Sequence, residues 1–201
     1  FLNFMTNKSQ EVVIVSAIRT PIGTYKGSLK TIKSHNLGSI VIKEVLKSSK
    51  FNKDEIDEVI MGQVLTAGAG QNPARQAAIN AGIPISKPAH IVNQVCGSGL
   101  RAVISGYQSI KLGESTNIIS GGQENMSIAP HSIFFRDEKK ISEDKLLDTM
   151  INDGLMDAFN CYHMGVTAEN IAKKFDISRQ DQDEFALNSQ KKTETAIALM
   201  N

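Results

Sequence analysis

The sequence predicts an α/β fold, a mostly parallel sheet with helices on both faces. Three observations carry this. Short β-branched runs recur at residues 12–17, 58–65, 89–95 and 117–122. Segments with apolar residues at helical spacing separate them, and Gly or Pro punctuates each change of period. Strand, helix, strand in alternation is the pattern of right-handed crossover units.

The first run, Val12-Val13-Ile14-Val15-Ser16-Ala17, ends before Pro21 and Gly23 and reads as a strand buried on both faces. A helix follows to about Ser49, with Ser34 or Asn36 as cap and Leu37, Ile40, Val41, Val45 and Leu46 as its apolar stripe. Residues 54–57 are acidic and turn-like, and the strand at 58–65 breaks at Gly68 and Gly70. That Gly-rich loop lacks the Lys-Ser/Thr ending of a P-loop and the spacing of a dinucleotide fingerprint, so phosphate binding is not expected there. Asn72 as cap and Pro73 at the first helical position open a helix through Ala81, stopped by Gly82 and Pro84.

The organising stretch is 89–103. An apolar run ends at Cys96, and small residues with a helical repeat follow, so Cys96 falls at a strand-to-helix corner. A helix N-terminus carries unpaired N–H groups and partial positive charge, which favour a thiolate, the reactive form of a cysteine. Gly97 and Gly99 let a substrate carbonyl approach the N–H of Cys96 itself. Leu100, Val103, Ile104 and Tyr107 form one stripe of the next helix, while Ala102, Ser105 and Gly106 permit close backbone packing, which predicts a central helix. After the strand at 117–122 the composition changes, from about Ser127. Arg136-Asp137-Glu138-Lys139-Lys140 reads as a solvated loop, residues 148–159 and 167–175 as helices, and Ser178 with Asp181 as the capped start of a last helix.

Composition narrows the function classes. The 201 residues allow one large or two small domains. Lys+Arg 22 against Asp+Glu 21 gives a net charge of +1, with no basic stripe for nucleic acid. Two widely separated cysteines point to a reducing, cytoplasmic setting. No stretch has the apolar length of a membrane span. Residues 1–8 do not form a secretory signal, and Met5 is a candidate natural start after a tail. His35, His90 and His131 show no ligand spacing, so no metal is expected. Cys161 beside His163 could be read as nucleophile and base, but sequence neighbours rarely face each other as such a pair must.

Asn93-Gln94-Val95-Cys96-Gly97-Ser98-Gly99-Leu100-Arg101-Ala102 closely resembles the nucleophile segment of the thiolases, and within them the biosynthetic acetoacetyl-CoA thiolases. Four collinear stretches agree: Ser16-Ala17-Ile18-Arg19-Thr20-Pro21-Ile22-Gly23, Gly70-Gln71-Asn72-Pro73-Ala74-Arg75-Gln76-Ala77, Gly121-Gly122-Gln123-Glu124-Asn125-Met126-Ser127, and Tyr162-His163-Met164-Gly165-Val166-Thr167-Ala168-Glu169-Asn170. The resemblance implies a layered α/β/α domain at 12–126 with a mostly parallel five-stranded sheet, then the start of an α-rich loop domain at 127–201. It implies Cys96 as nucleophile, His163, Met164 and Leu155 as substrate contacts, Arg75 and Gln71 near a dimer interface, and a packing role for Cys161. It also implies Claisen condensation of two acetyl-CoA, or the reverse thiolysis, with coenzyme A thioesters as substrates, no other cofactor, and a homodimer or homotetramer.

A full thiolase adds Asn-Glu-Ala-Phe, Gly-His-Pro and Cys-Gly-Gly-Gly segments, none of which this sequence contains. Their absence, with an apolar Ile197-Ala198-Leu199-Met200 ending, favours a piece of a longer enzyme whose isolated activity is low, over a naturally truncated protein that works with a separate chain or not at all. Other classes compatible with the corner cysteine are a degradative 3-ketoacyl-CoA thiolase, a carrier-protein condensing enzyme and a non-catalytic acyl-CoA or lipid-binding relative.

Overall fold

The computed structural model describes residues 11–136 and 146–199. The expected tail at 1–11, apart from Glu11, and most of the 136–140 charge run lie outside them. The chain forms two compact units, one ending at Gly154 and the other starting at Leu155.

The first unit is built on three parallel strands, β1 (Glu58–Gly62), β2 (Ala89–Val92) and β3 (Ile118–Gly122), in the order β2-β1-β3. Met61 pairs with Ile91 on one side and Gly121 on the other, so the central strand has both edges used. Its side chains alternate with the pleat. Val59 and Met61 enter a core with Ile42, Ile56, Ala74, Ala77, Ala78, Ile83 and Ile119. That face is covered by α1 (Ser34–Ser49) and α2 (Pro73–Ala81). Gly62 points the other way, towards α3 (Ser98–Leu112). Both faces of the sheet are therefore sheltered, as an all-parallel arrangement requires.

The crossover helix α2 is set by local chemistry. Asn72 accepts from Arg75 N–H at 3.1 Å, Pro73 takes the first position, and Gly82 closes α2 at φ 93°. In α1 neither Ser34 nor Asn36 caps: Lys33 holds that position, with no side-chain cap, and Ser34 is buried. The core-facing side of α1 is Ser34, His35, Gly38, Ser39 and Ile42, while Ile40 is 53% exposed. Leu37, Val41, Val45 and Leu46 of the expected stripe are half-buried, Leu46 against the core, but the most buried positions are the small residues through which α1 meets α2. A Cβ on Gly38 would lie 3.2 Å from the Ala77 Cβ.

In α3 likewise Ala102 and Gly106 are buried against the sheet, and Leu100, Val103, Ile104 and Tyr107 remain exposed. Small residues face inward because the helix backbone lies directly on β1 and β3. Its expected central place holds only for this small-residue face.

Residues 12–17 are a correction to the expected five-stranded sheet. They form no strand, and Val13, Ile14 and Val15 are 63%, 79% and 62% exposed. β-branched residues favour an extended backbone, but a strand exists only where an edge is within hydrogen-bonding reach. Here a cavity of about 710 Å³ separates this segment from β3, with Leu37, Val41, Val45, Val103 and Tyr107 in its wall. Beyond β3, a two-residue antiparallel ladder joins β4 (His131–Ser132) to β5 (Leu147–Asp148). Instead of an α-helix at 148–159, a π-helix spans Met150–Leu155.

In the second unit, α4 (Met164–Lys174) and α5 (Arg179–Leu199) match the expected helices. Asp181 Oδ2 accepts from Ser178 N–H and Oγ–H, and Asp181 N–H returns a bond to Ser178 Oγ at 3.1 Å. This reciprocal cap starts α5 where the sequence predicts.

Candidate active site at the carboxyl ends of the strands

The three parallel strands end together at Gly62, Val92 and Gly122, and residues 93–97 turn β2 into α3 over that edge. In open α/β sheets this is where ligands are held. The turn is locked by its own side chains. Asn93 Oδ1 accepts from Val95 N–H at 2.9 Å, and Ser98 Oγ accepts from Gln94 N–H at 2.9 Å while donating to the Val95 carbonyl at 2.5 Å. Gly97 N–H and Ser98 N–H donate to the Gln94 and Val95 carbonyls at 3.0 and 3.1 Å.

Val95 is held at φ 48°, in the left-handed region that a β-branched residue rarely enters. Strain of this kind costs about 1–3 kcal/mol and persists only where neighbours over-determine it. The Asn93 and Ser98 side chains supply that determination, and their effect is to turn Cys96 outward. Cys96 is exposed and its thiol is free. It stands just before Gly97, which is the N-cap of α3, so the sulfur lies outside the first helical turn. Among the described residues no hydrogen bond engages the Cys96 thiol.

Two glycines let the helix start sit this low on the sheet. A Cβ on Gly62 would lie 2.4 Å from the Ser98 carbonyl carbon, and one on Gly122 would lie 3.4 Å from Gly99 Cα. Below the turn, a buried polar layer links the strand ends. Gln63 Nε2 donates to Ser34 Oγ and the Leu65 carbonyl, and Gln123 Nε2 donates to Gln63 Oε1 at 2.9 Å. Glu124 Oε2 accepts from Val64 N–H at 2.8 Å and Leu65 N–H at 3.2 Å. Burial pushes the Glu124 carboxyl above the ordinary Glu range, against the opposing pull of the Val64, Leu65 and Asn125 N–H groups.

The remaining predicted site residues lie in the second unit. Leu155 ends the π-helix and is half-buried, and its neighbour Met156 forms a single antiparallel bridge with His163. His163 caps α4, with Nδ1 accepting from Gly165 N–H at 3.0 Å, and Met164 is the first helical residue at 36% exposure. Leu155, His163 and Met164 are thus grouped by one short loop. Cys161 is exposed at φ 56° and donates its N–H to the Asp157 carbonyl, a turn position rather than a packed one.

Arg75 is spent inside its own unit. Its guanidinium donates to the Lys87 carbonyl and, at 2.5 Å, to the Ile85 carbonyl. The Gln71 carbonyl accepts from Gln76 Nε2 at 2.8 Å. His90 Nδ1 is 2.9 Å from Glu58 Oε1, and His35 is buried, which pulls its pKa down, with Lys33 adding to the effect.

The pattern of the family described as Thiolase, N-terminal domain, matches residues 12–199. This chain belongs to the thiolase family. It is 52% identical over 186 residues to an acetyl-CoA acetyltransferase of Paracoccus denitrificans, covering 92% of this chain and 48% of the relative. It is 53% identical over 192 residues to a cytosolic acetyl-CoA acetyltransferase of Rattus norvegicus, covering 96% and 48%. A Cupriavidus necator acetyl-CoA acetyltransferase is 54% identical over 187 residues, covering 92% and 48%. The chain spans about half the length of the curated relatives it matches.

Asn93, Ser98 and Glu124 lie in the stretches that carry the resemblance, but the hydrogen bonds they make were not legible there. Gly62 carried no local signal, since it acts across the sheet on a segment distant in sequence.

Proposed function

We propose that the protein carrying this chain is an acetyl-CoA C-acetyltransferase that joins two acetyl-CoA into acetoacetyl-CoA and CoA, or runs the reverse thiolysis. The observation that carries the reading is the exposed, unpartnered Cys96 on a strained turn between a parallel strand and a helix. The names of the relatives support the substrate class.

In the first half-reaction Cys96 sulfur bonds to the thioester carbonyl carbon of acetyl-CoA, and the carbon–sulfur bond to CoA breaks. The electron pair shifts to the carbonyl oxygen on the way, and the Cys96 N–H is proposed as a donor to it. In the second, a second acetyl-CoA loses a methyl proton, its carbon bonds to the acetyl group, and the bond to Cys96 sulfur breaks. The group that accepts that proton is assigned to no described residue. Leu155, His163 and Met164 are proposed to contact the acyl-CoA, on the family resemblance and their grouping on one loop. A cytoplasmic location and a dimer or tetramer complete the reading, supported by the cytosolic rat relative and the resemblance.

The test is acetyl transfer in the intact protein. Incubation with acetyl-CoA is expected to place one acetyl group on the Cys96 peptide and none on the Cys161 peptide, with Cys96→Ala abolishing both the adduct and acetoacetyl-CoA formation. Activity retained by Cys96→Ala would overturn the reading. Thiolysis rates for acetoacetyl-CoA against longer 3-ketoacyl-CoA then decide the acyl length.

A further inference from the structure

We propose that Glu124 is a positioning residue for Cys96, acting through the peptide between Val64 and Leu65 and the side chain of Asn93. This rests on Cys96 being the nucleophile and goes beyond it by assigning what aims it.

The geometry is a relay with one peptide plane at its centre. Glu124 Oε2 accepts the Leu65 N–H at 3.2 Å and the Val64 N–H at 2.8 Å. A peptide unit is planar and trans, so holding the Leu65 N–H also sets the direction of the Val64 carbonyl on its opposite side. That carbonyl accepts from Asn93 Nδ2 at 3.3 Å. The same Asn93 amide turns its Oδ1 to Val95 N–H at 2.9 Å. Val95 is the strained residue at φ 48°, and Cys96 is the next in the chain.

Every link alternates donor and acceptor, so the amide of Asn93 has one orientation that satisfies both of its ends. Without the carboxylate, the Val64–Leu65 peptide is free to rotate and the Asn93 amide loses the acceptor that orients it. The turn then relaxes towards an unstrained φ, carrying Cys96 away from its outward setting. Even a half-buried carboxylate is costly to keep, and three backbone N–H groups converging on it are what an anchoring role requires.

Hydrogen exchange in the intact protein tests this without any acyl-CoA chemistry. Glu124→Leu is expected to lower the protection of the 93–98 turn about tenfold, the scale of one lost hydrogen bond, while peptides from α2 and β1 keep theirs. Glu124→Gln, whose single amide oxygen can accept both N–H groups, is expected to restore it. Asn93→Ala should produce the same loss, and adding it to Glu124→Leu should produce no further one. If Glu124→Leu does not fold, Glu124→Asp replaces it, since its carboxylate is withdrawn by one methylene. With acetyl-CoA, kcat should fall with the turn's protection and KM should hold. Unchanged protection of the turn in a folded variant, or a uniform loss across the whole first unit, overturns the proposal. If the protein proves not to transfer acetyl groups, the exchange result still decides it.

Discussion

Replacing Gly62 by Ala perturbs the site through one methyl group, and the structure gives the size of the effect. The added Cβ would lie 2.4 Å from the Ser98 carbonyl carbon, 2.5 Å from Gly99 N and 2.6 Å from Ser98 O, all backbone atoms of the first turn of α3. Ordinary contact begins at 3.4 Å, so the helix start must rise by about 1 Å. It cannot tilt freely, because Gly106 already rests against Ser120 on β3. Overpacking of this kind costs about 1–3 kcal/mol. At about 2 kcal/mol, Tm should fall by roughly 4–8 °C for a unit of this size.

Cys96 stands two residues before the helix and moves with it. A displacement of about 1 Å at a reacting group costs up to roughly a hundredfold in rate. Gly121→Ala is the matched control. Its Cβ would meet only Met61 Sδ and Cε, at 3.8 and 3.9 Å, and so should leave both quantities nearly unchanged. The assay is a melting curve beside the initial rate of Cys96 acetylation from acetyl-CoA, followed by mass spectrometry. Gly62→Ala behaving like Gly121→Ala in both would refute the claim that contact between strand end and helix start positions the nucleophile.

Two further outcomes follow from the same packing. Asp57 Oδ2 accepts from Asn117 N–H at 3.0 Å and Thr116 N–H at 2.7 Å, which holds its carboxyl below the usual Asp range. Because the folded value is the lower one, this contribution is full above the unfolded Asp pKa and is lost as pH falls through the folded value. Asp57→Asn should therefore cost about 1 kcal/mol at neutral pH, discounted for exposure, and flatten the acid limb of a stability-against-pH curve measured by urea unfolding. Ile42 is 1% exposed at the centre of the core between α1 and the sheet, so Ile42→Ala should cost about 2–5 kcal/mol in the same assay.

The amino-acid sequence by itself determined the alternation of strands and helices from β1 to β3, the parallel habit of the sheet, the caps of α2 and α5, and the corner at Cys96. These depend on neighbours within a few residues: Asn72 before Pro73, Ser178 before Asp181, and a β-branched run meeting Gly97 and Gly99. The tertiary structure alone decided which faces are buried. In α1 Ile40 is exposed while Gly38 and Ile42 face inward, and in α3 Leu100 is exposed while Ala102 and Gly106 face inward. Periodicity reports where apolar residues are, but the distance between two backbones decides whether a large or a small residue fits. The same limit explains residues 12–17, whose β-branched composition specifies an extended chain but not an edge to pair with. It also explains Gly62 and Glu124: the neighbours that matter to them, a close-packed helix start and two N–H groups, lie about 35 and 60 residues away along the chain, and only folding brings them into reach.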